Sequence, residues 1–354
     1  MTDLVIAGAG MAGLAAAAEA RLLGATPLVL EKLERPGGSM RLSSGVIWRH
    51  RDFDRFRAEC PGGDPVLQRL LFERLDADMG WLESLGAPVL ARETGNPLTF
   101  GVRFDPDGLT AALVRAAGQV RLSAPLTELP DGAPAVLATG GFAADPQLVR
   151  EHVTPEASHL LLRAAPGSTG DGLRLGLAAG ASAGAGLGEV YARAMPAPPA
   201  RVEPGDFVRM SQLYARHAEV ANERGERHEP RTWSEIDTAQ WMARQPRARA
   251  WFRVPRGALG QRVRERSVGE MVDEAEAAGA PVRREAEHVT VETVAGITTT
   301  LGGLAIDRAA RAAPGVFACG ADAGGIATGG YASGLAAALV FGRVAARAAL
   351  GETP

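Results

Sequence analysis

The sequence predicts an α/β protein in which a smaller domain is inserted into a larger one, and two observations carry that expectation. Residues 3–31 read as strand, tight turn, helix and strand: Leu4-Val5-Ile6-Ala7, then glycines, then an alanine-rich stretch to Leu23, then Pro27-Leu28-Val29-Leu30-Glu31. Between about residues 189 and 266 the texture changes. Proline and arginine rise there, glycine thins, and Trp233, Trp241 and Trp251 fall together. The expected division is therefore 1–188 with 267–354 for the larger domain and 189–266 for the insert, within the size that 354 residues allow.

After the opening βαβ unit, Leu67, Leu70, Leu71, Leu75, Met79 and Leu82 share one helical face across residues 64–87. A second helix is expected around Leu109–Ala117. Val120–Leu122 and Ala135–Leu137 are short strands, followed beyond the insert by Val289–Glu292 and Gly315–Ala318. A last helix runs from Gly334 to Leu350.

Charged residues are 22% of the chain and the net charge is −3, so no field of one sign points to a nucleic acid or an anionic membrane. Lys32 is the sole lysine, and the arginine excess reads as a compositional bias. Cys60 and Cys319 are too few and too distant for a disulfide framework or a zinc site. No histidine, cysteine or carboxylate spacing suggests a metal. The sequence shows no apolar run of about 18 residues and no leader, so the expectation is a cytoplasmic protein without a membrane span.

Gly8-Ala9-Gly10-Met11-Ala12-Gly13 follows a strand and opens a helix, and Glu31 ends the next strand eighteen residues after Gly13. Gly8 permits the tight turn, Gly10 lets backbone approach a diphosphate, and Gly13 lets helix and strand pack closely. The helix N-terminus, at Met11 and Ala12, offers N–H groups and partial positive charge, and Glu31 offers acceptors for ribose hydroxyls. The pattern fits NAD or FAD alike.

A second glycine stretch follows directly: Glu31-Lys32, then Pro36-Gly37-Gly38-Ser39-Met40, then Ser43-Ser44-Gly45. Further along stand Val136-Leu137-Ala138-Thr139-Gly140-Gly141-Phe142, Thr169-Gly170-Asp171-Gly172, Asn222-Glu223-Arg224-Gly225-Glu226-Arg227, Thr300-Leu301-Gly302-Gly303-Leu304, Pro314 through Gly320, and Leu339-Val340-Phe341-Gly342-Arg343. In this order and over nearly the whole chain, the sequence resembles the flavoproteins of the fumarate reductase and succinate dehydrogenase family, which includes ketosteroid and tricarballylate dehydrogenases. The resemblance implies a doubly wound, Rossmann-like FAD-binding domain with a smaller α+β cap domain over the flavin ring. It places FAD against Gly8, Gly10, Met11, Ala12, Gly13, Glu31, Lys32, Gly37, Gly38, Ser39, Gly45, Thr139, Gly140, Gly141, Asp171, Gly320, Ala321, Asp322, Ser333, Gly334 and Leu335. The last helix then points its N-terminus at the flavin's pyrimidine end.

The departures are informative. Members that attach FAD covalently have a histidine where this chain has Met40, so FAD is expected to be held noncovalently. Fumarate reductases hold substrate carboxylates with a histidine and an arginine whose positions here are Thr299 and Gly329, which argues against fumarate because the arginine fork is its natural ligand. Arg193, Arg209 and Arg216 stand in the insert as substitutes but read as solvated surface charges.

Instead the chain has Gly330-Tyr331-Ala332-Ser333-Gly334, similar to a segment of some ketosteroid dehydrogenases in which tyrosine and serine hydroxyls face the substrate. Tyr331 is the first catalytic candidate, since a phenol can bond a carbonyl or relay a proton, and Ser333 is a weaker one. Tyr191, Tyr214, His217 and His228, all in the insert, read as structural. The function expected is hydride transfer between flavin N5 and a carbon beside a carbonyl or carboxylate of a small-molecule substrate. The alternatives are a flavin oxidase or dehydrogenase of an amine or alcohol and an FAD-binding electron-transfer subunit that docks a partner protein.

Overall fold

A computed structural model describes residues 2–230 and 235–353. Trp233 lies outside the described residues. The chain divides into two compact units, one of Met1–Asp145, Ala164–Glu189 and Thr299–Pro354, the other of Pro146–Arg163 and Val190–Thr298.

The larger unit is built on a six-stranded sheet in the order Arg311–Ala313, Val316–Ala318, Ala135–Leu137, Leu4–Ala7, Pro27–Leu30, Val120–Arg121. All neighbours are parallel except the first pair. Leu4–Ala7 is buried along its whole length, as a central parallel strand covered on both faces must be. The strand order reverses between Leu4–Ala7 and Ala135–Leu137, so the carboxyl ends of these strands flank the crevice where doubly wound sheets bind ligands.

Helices Met11–Leu22 and Gly334–Ala349 pack on this sheet. Small residues let them touch: a Cβ on Gly342 would stand 2.4 Å from the Ala12 carbonyl oxygen. Two cations of the closing helix reach the first. Arg343 and Arg347 pair with Glu19, which is fully buried, at 2.7 and 2.5 Å, and Arg343 also pairs with Asp78 of helix Pro65–Ser84. The Arg343 guanidinium lies 4.2 Å from the Trp81 ring centroid.

The smaller unit is organised by the long strand His288–Thr300. On one side it pairs antiparallel with Arg249–Pro255, followed by Glu219–Ala221 and Arg227–His228. Val282–Arg284 pairs with it too, and Leu161–Leu162 joins it in parallel at Gly296 and Ile297. These pairings explain why the observed unit runs to residue 298 and takes in 146–163, whereas the sequence suggested 189–266. The register from Arg249↔Val294 to Pro255↔His288 ties the late strand to the insert. Helix Val268–Ala277 starts in a capping box between Ser267 and Glu270. Asn222-Glu223-Arg224-Gly225-Glu226-Arg227 forms a hairpin in which the Asn222 side-chain oxygen accepts from the Arg224 and Glu226 N–H groups.

Candidate functional site

The three glycines of the first turn are glycines for two different reasons. Gly8 has φ +101°, and a Cβ there would stand 2.2 Å from the Ala138 carbonyl oxygen. A Cβ on Gly13 would stand 1.9 Å from the Gly8 carbonyl oxygen. Both are demanded by the protein's own packing. Gly10 has ordinary extended backbone, and a Cβ on it would meet no atom within 4 Å. The open space beside Gly10 lies at the helix N-terminus, where the cap residue supplies no side-chain hydrogen bond, so the first N–H groups suit a diphosphate.

Glu31 is fixed across this turn. Its Oε2 accepts from the Ala9 N–H at 2.7 Å and its Oε1 from the Leu33 N–H at 2.9 Å. Each oxygen keeps a lone pair for a ribose hydroxyl. The second glycine loop folds onto the first: the Gly37 N–H donates to the Ala9 carbonyl at 2.7 Å, and Gly38 comes close to Gly10. Ser39 Oγ accepts from the Ala165 N–H at 2.9 Å. Met40 is buried in the core.

Several residues read from the sequence as cofactor ligands have another structural partner. Lys32 Nζ donates to Thr169 Oγ1 at 2.5 Å and to Asp171 Oδ2 at 2.7 Å, so two of the expected residues pair with each other. The fully buried Asp322 carboxylate accepts from the Thr139 N–H and hydroxyl and from the Gly141 N–H, clamping the Thr139-Gly140-Gly141 turn. Burial pushes its pKa up, against these hydrogen bonds. Gly45, at φ +71°, is required by the sheet, since a Cβ would stand 2.0 Å from the Phe104 carbonyl oxygen. Gly320, beside Ala321, packs against Ala12.

At the other end of the site, Ser333 caps helix Gly334–Ala349, its Oγ accepting from the Ala336 N–H at 3.3 Å. The Gly334 N–H points to the Tyr331 hydroxyl oxygen at 3.5 Å. A Cβ on Gly334 would again meet nothing within 4 Å, and Leu335 beside it is half-buried. Tyr331 stands edge-on to Trp48, which in turn stands edge-on to His50. Burial, then the charge of Arg55, lowers His50 to about 4 against the pull of Asp52, so its imidazole is neutral. The sequence did not single out Trp48 or His50; their proximity to Tyr331 arises from a tertiary contact. The Gly329 N–H donates to Glu189 Oε2 at 2.7 Å and the Thr299 hydroxyl donates to the Thr300 carbonyl.

Within the smaller unit, Arg209 and Arg216 are exposed as expected. Arg193 is not: it is 8% exposed and donates to the Tyr191 hydroxyl at 2.9 Å. Tyr214 is fully buried against Phe252, its hydroxyl has no hydrogen-bond partner among the described residues, and burial raises its pKa. His217 sits in a short 3₁₀ turn, and His228 stacks on Trp241 with its ring centroid 5.1 Å away. Cys60 and Cys319 are buried free thiols, and burial pushes Cys60 up to about 12. Among the described residues no group of three or more histidines, cysteines or carboxylates could hold a metal, and no helix is long and apolar enough to cross a membrane.

A dinucleotide-binding turn, a ribose acid and a second glycine loop laid over the first define a protein that binds a dinucleotide cofactor through its larger unit. A family model described as an FAD binding domain matches residues 3–128 and 126–335, and the chain belongs to this family. FAD is its cofactor, and it is an FAD-dependent oxidoreductase. The open space at Gly10 and Gly334 and the spare acceptors of Glu31 fit that cofactor. No curated protein matches the sequence.

Solved structures with the same fold include the open conformation of a flavocytochrome c3 fumarate reductase, 21% identical with a TM-score of 0.74, covering 99% of this chain and 78% of that one. The 3-ketosteroid-Δ4-(5α)-dehydrogenase from Rhodococcus jostii RHA1 in complex with 4-androstene-3,17-dione is 20% identical with a TM-score of 0.73, covering 98% and 96%. The 3-ketosteroid Δ1-dehydrogenase from Sterolibacterium denitrificans in complex with 1,4-androstadiene-3,17-dione is 16% identical with a TM-score of 0.72, covering 99% of each.

Proposed function

We propose that this oxidoreductase works on a CH–CH bond beside a carbonyl or carboxylate, as a dehydrogenase or as an ene-reductase. The observation that carries the reading is the Tyr331 hydroxyl at the N-terminus of the closing helix, with the Gly334 N–H directed at its oxygen. The N–H holds the phenol oxygen at the start of helix Gly334–Ala349. The phenol O–H then bonds the substrate carbonyl, which acidifies the neighbouring C–H, or relays the proton that leaves or enters there.

FAD, when bound, accepts or supplies the hydride. The chain's own part is to hold the cofactor through the backbone of residues 8–13 and Glu31, to orient the substrate, and to manage the proton. Trp48 fixes the Tyr331 ring from the side. The same reading makes the smaller unit the substrate domain. Glycine and threonine at positions 329 and 299 support a substrate other than a four-carbon dicarboxylate, and the steroid dehydrogenases among the similar structures make cyclic enones and their saturated ketones the first compounds to try.

The test is anaerobic stopped-flow flavin absorbance, with oxidised protein mixed with saturated ketones, steroids, carboxylates and amines, and dithionite-reduced protein mixed with the matching alkenes. A ketone that bleaches the flavin, or an enone that reoxidises it, is the expected result. Tyr331→Phe should slow that step by about 10²- to 10⁴-fold, the usual share of general acid–base catalysis, while leaving the flavin spectrum unchanged. Bleaching by an amine or alcohol alone, with peroxide release in air, would contradict the CH–CH reading.

A further inference from the structure

Tyr331 stands in a stretch, 324–333, that has neither helix nor strand and leads into helix Gly334–Ala349. A side chain on such a loop keeps a reacting geometry only if the loop itself is held. A displacement of about 1 Å at a reacting group can cost about 10²-fold in rate, so the hold on this loop bears on the chemistry.

Much of that hold comes from residues 59–68. The Gly62 N–H donates to the Thr328 carbonyl at 3.0 Å and the Asp64 N–H to the Gly325 carbonyl at 2.7 Å. A Cβ on Gly330 would stand 1.7 Å from the Glu59 carbonyl oxygen and 3.3 Å from Cys60 Sγ, so the residue before Tyr331 is seated against the end of helix Phe53–Glu59. Gln68 joins these contacts from within. It is fully buried in the first turns of helix Pro65–Ser84, which Asp64 starts by accepting from the Val66 and Leu67 N–H groups. Its Nε2 donates to the Ile326 carbonyl at 2.8 Å and to the Cys60 carbonyl at 2.9 Å, while its Oε1 accepts from Arg57 Nη1 at 2.5 Å. The partners of the nitrogen are acceptors only and that of the oxygen is a donor only, so the amide has one orientation. The same Arg57 nitrogen donates to the Gly63 carbonyl at 2.6 Å.

A buried amide costs free energy unless it is bonded, and an apolar side chain of the same length would fill this space without that cost. What the amide adds is direction: it fixes Ile326, five residues before Tyr331, relative to Cys60, which abuts Gly330. On the other side of the phenol, Ser333 caps the closing helix. We propose that Gln68 is a positioning residue for the Tyr331 phenol, acting through the loop rather than on the substrate. The inference rests on the reading of Tyr331 given above.

The experiment is fluorine NMR on the full-length, FAD-loaded protein labelled with meta-fluorotyrosine. The chain has only three tyrosines, Tyr191, Tyr214 and Tyr331, so three signals are expected, and Tyr331→Phe identifies the third. Gln68→Met, close in volume but without donors, should shift and broaden the Tyr331 signal and leave those of Tyr191 and Tyr214 in place. If that variant does not fold, Gln68→Glu, which keeps the shape and the bond from Arg57 but loses both N–H donors, carries the same expectation. A variant that melts earlier yet leaves the Tyr331 signal unmoved overturns the proposal, because the amide then serves stability alone. Movement of all three signals together overturns it as well. The readout needs no turnover, so the two readings fail separately: undiminished activity in Tyr331→Phe would remove the reading of Tyr331, whereas an unmoved Tyr331 signal removes the role of Gln68 alone.

Discussion

The cofactor cradle of the larger unit and the charged cluster of the smaller one are built from different materials. The cradle is backbone: N–H groups at a helix start, glycines that keep Cβ atoms out, and one carboxylate pinned by two N–H donors. The cluster is side chain: the Arg193 Nε–H meets the Tyr191 hydroxyl two residues back on the same strand, and the nearly buried Arg163 donates to Thr298 Oγ1 and to the Phe207 carbonyl. Backbone sites are written locally, as spacings of glycine within a dozen residues. Side-chain sites are assembled by sheet register and leave no local trace. The contrast also separates two kinds of glycine within one turn, Gly8 and Gly13, which the fold itself requires, and Gly10, where a Cβ would meet nothing within 4 Å.

The largest effect expected from breaking the cradle is at Gly13. Gly13→Ala would drive a methyl group into the Gly8 carbonyl, and backbone cannot move aside as a side chain can. Circular dichroism should show loss of the cooperative melt, or expression should yield no soluble, flavin-loaded chain. A normal melt for Gly13→Ala would show that the turn is looser than described.

Next in size is the ion cluster behind the cradle. Arg343→Met leaves Glu19 and Asp78 buried with less compensation and should cost about 3–5 kcal/mol in urea unfolding, the usual cost of removing one partner from a buried pair. The same cluster carries a pH signature. Burial raises Asp78 to about 6, against the charges of Arg343 and Arg74. Between the unfolded carboxyl's ordinary value near 4 and this raised one, the folded chain binds the extra proton, so this contribution to stability falls as pH rises through that window. Asp78→Asn should flatten that part of the pH–stability curve; an unchanged slope would assign it to other buried acids such as Asp322.

The smallest effect is at the helix cap. Ser333→Ala removes the acceptor for the Ala336 N–H and should cost about 1 kcal/mol in the same assay. If Ser333 only caps the helix, the variant's flavin reduction rate stays within a few-fold of wild type, in contrast to Tyr331→Phe. A loss as large as that of the phenol would make the hydroxyl a participant in the reaction.

The opening βαβ unit, Glu31, the second glycine loop and the closing helix were legible because each is a local pattern. What the sequence could not convey was how side chains pair across the fold. Asp322 sits in a glycine-rich run that resembles a ligand segment, yet its carboxylate clamps Thr139 and Gly141 nearly two hundred residues earlier. Lys32 and Asp171 each look like cofactor residues, and their pairing joins segments 139 residues apart. The insert's boundary was missed for the same reason. Val289–Glu292 is visible as a strand, but only its register with Arg249–Pro255 shows which unit it belongs to. Arg193 was read as a surface charge because arginine usually is one, and nothing next to it in sequence announces its burial.

The most direct test of the account is FAD titration onto flavin-stripped protein, wild type against Gly10→Ala, followed by flavin fluorescence, with the melting of both apo forms measured alongside. Because a Cβ at Gly10 meets no protein atom, the two apo forms should melt together, while the variant should lose at least about tenfold in FAD affinity, about 1.4 kcal/mol. Equal affinity for FAD would contradict the claim that the space at Gly10 is kept for the cofactor, and an apo form destabilised like Gly13→Ala would show that the glycine serves the fold instead.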